Sequence, residues 1–309
     1  MEFAYRKRFD PAPPGAAEAT SASAISLGDR GAADAYLFDD HATLAVNIAL
    51  ATGRPILVRG PSGAGKSSLA RAVAAELGWS YVEAVVTSRT QARDLLWRVD
   101  HLRRLQDAQL GRLGIDEAPY VAPGPLFWAF DPEAAWELMV TTERLSQVPP
   151  GLRRGVAGTV ALIDEIDKAD PDVPNNLLEA LGSLTFTVEE LNRTVAARTP
   201  PLTIVTTNEE RDLPPAFLRR CVALTIAPAS AARLAEIGRL HLPGLDPVLI
   251  EAVARLVVER GAAQGMPPSA AEFLDMLRAC RALGIGPDEP SFLQVARMTL
   301  WKDNGEAEQ

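Results

Sequence analysis

Residues able to do chemistry fall in two places. Gly60-Pro61-Ser62-Gly63-Ala64-Gly65-Lys66-Ser67 matches the pattern GxxxxGK[ST] in full, with Ser68 directly behind it. The glycines permit a tight turn whose backbone N–H groups point inward at a phosphate, and a helix starting there adds its positive dipole end. Lys66 supplies a point charge for phosphate oxygens, and Ser67 a hydroxyl for Mg²⁺. The second place is Val160-Ala161-Leu162-Ile163 followed by Asp164-Glu165-Ile166-Asp167. Asp164 suits a metal hydration shell, and Glu165 suits the polarising of an attacking water. That adjacent glutamate separates hydrolytic sites from most small-molecule kinases with the same loop. A third apolar run ends in Asn208, an amide able to orient water or touch a phosphate, although Asn is also a frequent turn former. Further on, Leu213-Pro-Pro-Ala-Phe-Leu-Arg219-Arg220-Cys221 opens the last apolar run. The two arginines there suit an ion pair, a solvated face, or a cation delivered to a neighbour's phosphate.

These residues need a scaffold, and the apolar patterning predicts one. Ile56–Arg59, Tyr81–Val86, Val160–Ile163, Leu202–Thr206 and Val222–Ile226 read as strands, alternating with helical patterns as in a parallel βαβ sheet. They lack polar alternation, as expected of strands covered on both faces. PILVR before the glycine loop and SSLARAVAAEL after it give the strand–loop–helix setting that the motif requires. In an open α/β sheet, ligands bind at the carboxyl ends of the strands, where the acidic run also ends. From about residue 229 the pattern becomes purely helical, over Ala231–Leu240, Pro247–Arg260 and Ser269–Leu283. The expected fold is α/β: a phosphate-loop nucleotide-binding parallel sheet with flanking helices over 35–228, then a small all-α lid over 229–301. Residues 1–34 read as a flexible leader and 302–309 as a disordered tail, being poor in large apolar groups.

The remaining composition narrows the function. The chain has 309 residues, 47% hydrophobic and 23% charged, with a net charge of −9. That is the profile of a soluble globular protein. An acidic balance argues against non-specific nucleic-acid binding and against retention on anionic lipid. Two cysteines make no disulfide framework, and the histidines at 41, 101 and 241 make no metal-ligand spacing. There is no signal-peptide pattern and no run of the ~20 apolar residues that a membrane span needs, so a cytoplasmic location and no membrane insertion are expected. Trp97, Trp128 and Trp136 read chiefly as packing residues. The pairs Arg103-Arg104 and Arg153-Arg154 read as solvated faces, and Cys221 as a small buried hydrophobe.

The order of elements resembles an AAA+ ATPase, carried by GPSGAGKS, LIDEID, TTN and the arginines of AFLRRC. LIDEIDKADPDVPNNLLEALGSLTFTVEEL, TTNEERDLPPAFLRRC and TSRTQARDLLWRVDHLRRLQDAQ further resemble the bacterial MoxR-type branch, over roughly Phe38 to Leu283. The resemblance implies ATP and Mg²⁺ as cofactors and a ring, usually a hexamer, with ATP between subunits. By position it implies phosphate and metal binding by Lys66 and Ser67, metal-water and water activation by Asp164 and Glu165, a first sensor at Asn208, and an arginine finger at Arg220 or Arg219. It also implies a helical insertion within Thr90–Pro132, a hairpin near Thr185–Glu189, and a remodelling chaperone that works with partners carrying a von Willebrand factor A domain. The lid departs from the pattern: the stretch Met266–Glu272 holds no second-sensor arginine. Two rivals stand beside this reading, a slow nucleotide-dependent switch or scaffold and a nucleic-acid remodeller.

Overall fold

In chain order the strands are β1 (Ile56–Arg59), β2 (Ser80–Val85), β3 (Trp97–Val99), β4 (Val121–Pro123), β5 (Thr159–Asp164), β6 (Thr185–Val188), β7 (Arg193–Ala196), β8 (Leu202–Thr207) and β9 (Val222–Thr225). They come from a computed structural model that describes residues 5–12, 36–112, 114, 116–264 and 269–301. Five of them form one sheet in the order β2-β5-β8-β1-β9, with β2, β5, β8 and β1 mutually parallel. β8 is buried along its whole length, and β5 and β1 at all but their last residue. Their β-branched content suits such two-sided burial.

The expectation that all five runs lack alternation fails for β2 and β9. Both alternate between buried and more open positions. The reason is their place in the order: each is an edge strand with only one strand neighbour. The register aligns the carboxyl ends, with Arg59 opposite Thr207, Val85 opposite Asp164, and Ile163 opposite Val205. The residues that follow β1, β5 and β8 therefore leave from one edge of the sheet.

Cα proximity divides the chain into two compact units. One is built on Asp39–Arg59 and Ala70–Leu224, the other on Gly60–Leu69 and the chain from Thr225 onward. In the first unit, helix Asp40–Thr52 is capped by Asp39, whose side chain accepts from Ala42 N, and it ends on Gly53 in the left-handed region. Asn47 on this helix accepts from Phe9 N and donates to Phe9 O, and Phe9 is 2% exposed. Residues 5–12 thus depart from the flexible leader expected over 1–34. Residues 13–35, and the tail from 302, lie outside the described residues.

The stretch expected to hold a helical insertion contains helices Ala92–Leu96, His101–Gln109 and Pro125–Phe130 and the antiparallel ribbon β3–β4. Its aromatic side chains are packing residues: Phe127, Trp128 and Phe130 are buried, and Trp97 stacks on Phe186 with ring centroids 5.8 Å apart. Trp97 Nε1 also donates to Glu190 Oε2 at 2.7 Å, tying the insertion to the antiparallel hairpin β6–β7. Arg154 lies over the Trp136 ring, 5.1 Å from its centroid. Arg104 pairs with Glu117.

The second unit packs helices Ala231–His241, Pro247–Gln264, Ala270–Leu283 and Pro290–Ala296 around Leu234, Ile250, Val253, Phe273, Leu277 and Phe292. Ser269 and Glu272 form a reciprocal capping box at the start of Ala270–Leu283, satisfying N–H groups that the helix leaves open. Residues 266–268 of the stretch Met266–Glu272, which holds no second-sensor arginine, lie outside the described residues.

Candidate functional site

The glycine loop follows β1 directly and runs into helix Lys66–Leu77. Gly60, Gly63 and Gly65 all have positive φ, at 147°, 71° and 89°. A Cβ on Gly60 would lie 2.5 Å from the Ile226 carbonyl oxygen, and one on Gly63 would lie 2.1 Å from Ser269 Cβ. The loop conformation and its neighbours therefore both demand glycine. Lys66 is 6% exposed and donates from Nζ to the Gly60 and Pro61 carbonyls, each at 2.8 Å. Ala64 N donates to Pro61 O, closing the turn, and Leu69 N donates to Gly65 O as the helix begins. Ser67 is half-buried, while Pro61, Ser62 and Ser68 are exposed.

At the carboxyl ends of β5 and β8 a second constellation forms. Thr206 Oγ1 donates to Asp164 Oδ1 at 2.5 Å and accepts from Glu165 N at 2.9 Å. Glu165 sits in the left-handed region at φ 61°. For a residue with a side chain this costs on the order of 1–2 kcal/mol, and it turns the chain sharply off the strand end. Its carboxylate is held at both oxygens: Asn208 Nδ2 donates to Oε1 at 3.2 Å, and Lys168 Nζ donates to Oε2 at 2.7 Å. Contact with Glu165 raises the Lys168 pKa above the usual lysine value, opposed by partial desolvation and reinforced by Glu165, Glu210 and Asp167 charges. Asp167 is 3% exposed, and its Oδ2 accepts from Asn208 N and Glu210 N. Its Oδ1 is buried with no hydrogen-bond partner among the described residues.

Asp164, Glu165 and Asn208, named from the sequence, are thus brought into one hydrogen-bonded group. Arg219 and Arg220 are not joined to it. They follow the short helix Pro215–Leu218, both are exposed, and neither forms an ion pair among the described residues. Cys221 next to them packs against the core, and burial pushes its thiol up to about 12 although Arg59 and Arg54 act in the opposite direction.

Sequence reasoning missed Thr206, Asp167 and Lys168. Two consecutive threonines ending an otherwise apolar strand, and a third acid followed by a lysine in DEIDK, are the only signals that pointed to them. No cluster of three or more His, Cys, Asp or Glu side chains able to hold a metal occurs among the described residues. Taken by chemistry alone, the Ser67 hydroxyl and Lys66 ammonium of the loop, and separately the Asp164 carboxylate at the end of β5, are groups of the kind a Mg²⁺-nucleotide takes. That is the hard-donor chemistry Mg²⁺ prefers, and the three positive-φ glycines form a turn that no side-chain-bearing residue would fill without strain. The residues present fit the group.

A parallel sheet flanked by helices, a glycine loop after its first strand, and another strand of the same sheet ending in paired acids define a nucleotide-dependent ATPase of the AAA+ fold. The AAA domain in its dynein-related subfamily matches residues 55–221, more than half of the chain, and the chain belongs to that family. Among solved structures, the Thermotoga maritima RuvB Holliday junction branch migration motor is 16% identical, with a TM-score of 0.46. The match covers 83% of this chain, which spans 66% of the length of that RuvB. A mutant of the same RuvB is 17% identical with a TM-score of 0.48, over 84% of this chain and 67% of that one. Similarity at this level carries no functional weight. No curated protein matches the chain. No helix among the described residues is long and apolar enough to cross a membrane.

Proposed function

We propose that the chain is an ATP-hydrolysing AAA+ remodelling ATPase of the MoxR type, acting on a partner protein as an oligomeric ring, a hexamer by that resemblance. The observation that carries the hydrolytic part is the Asp164–Thr206–Glu165–Asn208 network at the carboxyl ends of β5 and β8. Asp164 is the metal-side carboxylate, kept in place by the Thr206 hydroxyl. Glu165 accepts the proton of the attacking water, and Asn208 shares its amide between Glu165 and the terminal phosphate. Lys66 exchanges the Gly60 and Pro61 carbonyls for phosphate oxygens, Ser67 gives its hydroxyl to the metal, and the 60–68 loop offers its backbone N–H groups. When bound, Mg²⁺ supplies charge neutralisation on the phosphate oxygens.

The exposed Arg219 and Arg220, which form no ion pair among the described residues, suit a finger that reaches the nucleotide of an adjacent subunit. The MoxR assignment is supported by the motifs over 162–191 and 206–221 and by the hairpin β6–β7 before the first sensor. A partner with a von Willebrand factor A domain follows from that resemblance.

ATP turnover per protomer across a wide protein concentration range tests the reading, for wild type, Arg220→Ala and Arg219→Ala. An arginine finger contributes about 10³–10⁵ in rate in this chemistry. Turnover that rises with concentration in wild type, and collapses in one arginine variant that still binds ATP, is the expected result. Concentration-independent turnover with both arginines dispensable would remove the shared site and leave the switch or scaffold.

A further inference from the structure

The chain leaves β5 through the 3₁₀ turn Ile166–Lys168. In a 3₁₀ turn residues i and i+3 lie one above the other. Lys168 is placed in this way over Glu165: its backbone N–H donates to Glu165 O at 3.0 Å, and its ammonium to Glu165 Oε2 at 2.7 Å. The other carboxylate oxygen is taken from a different element by Asn208.

An exposed i, i+3 ion pair of this kind adds little to folding, on the order of 0–1 kcal/mol. Lys168 is indeed 41% exposed at its side chain, against 26% for Glu165. Its effect is geometric. A glutamate has three rotatable bonds and loses up to about 2 kcal/mol of rotamer freedom when fixed. With the backbone of Glu165 already set by its left-handed φ and by Thr206, two donors, one on each oxygen, fix where the carboxylate points. Asn208 alone would leave it free to pivot about a single bond.

We infer that Lys168 is a positioning residue that holds the Glu165 carboxylate in its working orientation, an inference that rests on Glu165 acting on the attacking water. Lys168 is not itself placed on nucleotide or metal. Its loss is therefore expected in the chemical step and not in binding.

The test uses the full chain with Lys168→Met, Lys168→Arg and Glu165→Gln, measuring phosphate release for kcat and KM and a fluorescent ATP analogue for Kd. Misplacing a reacting group by about 1 Å costs on the order of 10²-fold, so Lys168→Met is expected to lose about 10- to 100-fold in kcat. Its KM, Kd and melting temperature should stay near wild type. Lys168→Arg, which keeps a cationic donor on the turn, should recover most of the rate. Wild-type or faster turnover in Lys168→Met, with Glu165→Gln inactive, would overturn the positioning role and leave the base intact. Failure of the arginine variant to rescue would overturn it too. Undiminished turnover in Glu165→Gln would overturn the base assignment, and with it this inference.

Discussion

Replacing Thr206 by Val tests whether the acidic strand end is organised as described. Thr206 is 0% exposed, and its hydroxyl joins Asp164 Oδ1 to Glu165 N. Valine keeps the shape and the β-branch, so the change leaves no cavity and removes the two hydrogen bonds alone. A hydrogen bond to a charged group contributes about 1.5–3 kcal/mol, and a stranded N–H adds a further 1–3 kcal/mol if it is sealed from water. Because Asp164 and Glu165 are only half-buried, water recovers part of this, and a loss of about 2–4 kcal/mol is expected. For a domain of this size that corresponds to a fall in melting temperature of roughly 5–15 °C. Urea denaturation and calorimetry read it, with Thr203→Val as the matched control: Thr203 lies in the same strand, 4% exposed, without a bridge to either acid. A Thr206 variant as stable as the Thr203 variant would refute the bridge. Loss of ATP turnover beyond the loss of stability would place the same bridge in the chemistry.

Two further predictions concern the loop and the thiol. Gly63→Ala combines a left-handed φ of 71° with a Cβ 2.1 Å from Ser269 Cβ. It should destabilise the unit that contains both by about 2–5 kcal/mol, from roughly 1–2 of backbone strain and 1–3 of overpacking. Adding Ser269→Gly should return only the packing part; equal denaturation curves for the single and double variants would mean that the helix start does not meet the loop. Cys221, its thiol pushed up to about 12 by burial, has almost no thiolate at pH 8. It should resist iodoacetamide in the folded protein and label readily in urea, as mass spectrometry of the peptide would show; fast labelling of the folded chain would contradict its packing.

What was legible in the sequence depended on how far apart the cooperating residues lie. The glycine loop reads directly because everything it needs is within nine residues. β1, β5 and β8 read as unbroken apolar runs because neighbours cover both faces. β2 and β9 were placed, but their alternation was not foreseen, because only the strand order makes them edges. Phe9 reads as part of a leader because nothing local shows that Asn47, 38 residues on, satisfies its backbone.

The site divides in the same way. Asp164 and Glu165 are visible as acids ending a strand, whereas the role of Thr206 depends on β5 and β8 being paired in register across 42 residues of chain. To a propensity argument a threonine in a strand is only a good β-former. Asp167 looks like one more solvated acid until the turn folds it under the loop at 208–210, where its one oxygen receives two backbone N–H groups. The acid that propensity would send to solvent is the one most deeply buried. It holds the backbone of Asn208 in place, while Lys168, one residue on, holds the side chain of Glu165. A single turn of three residues therefore fixes both the amide and the carboxylate, and alterations to that turn should change the rate of the reaction before they change the affinity for its substrate.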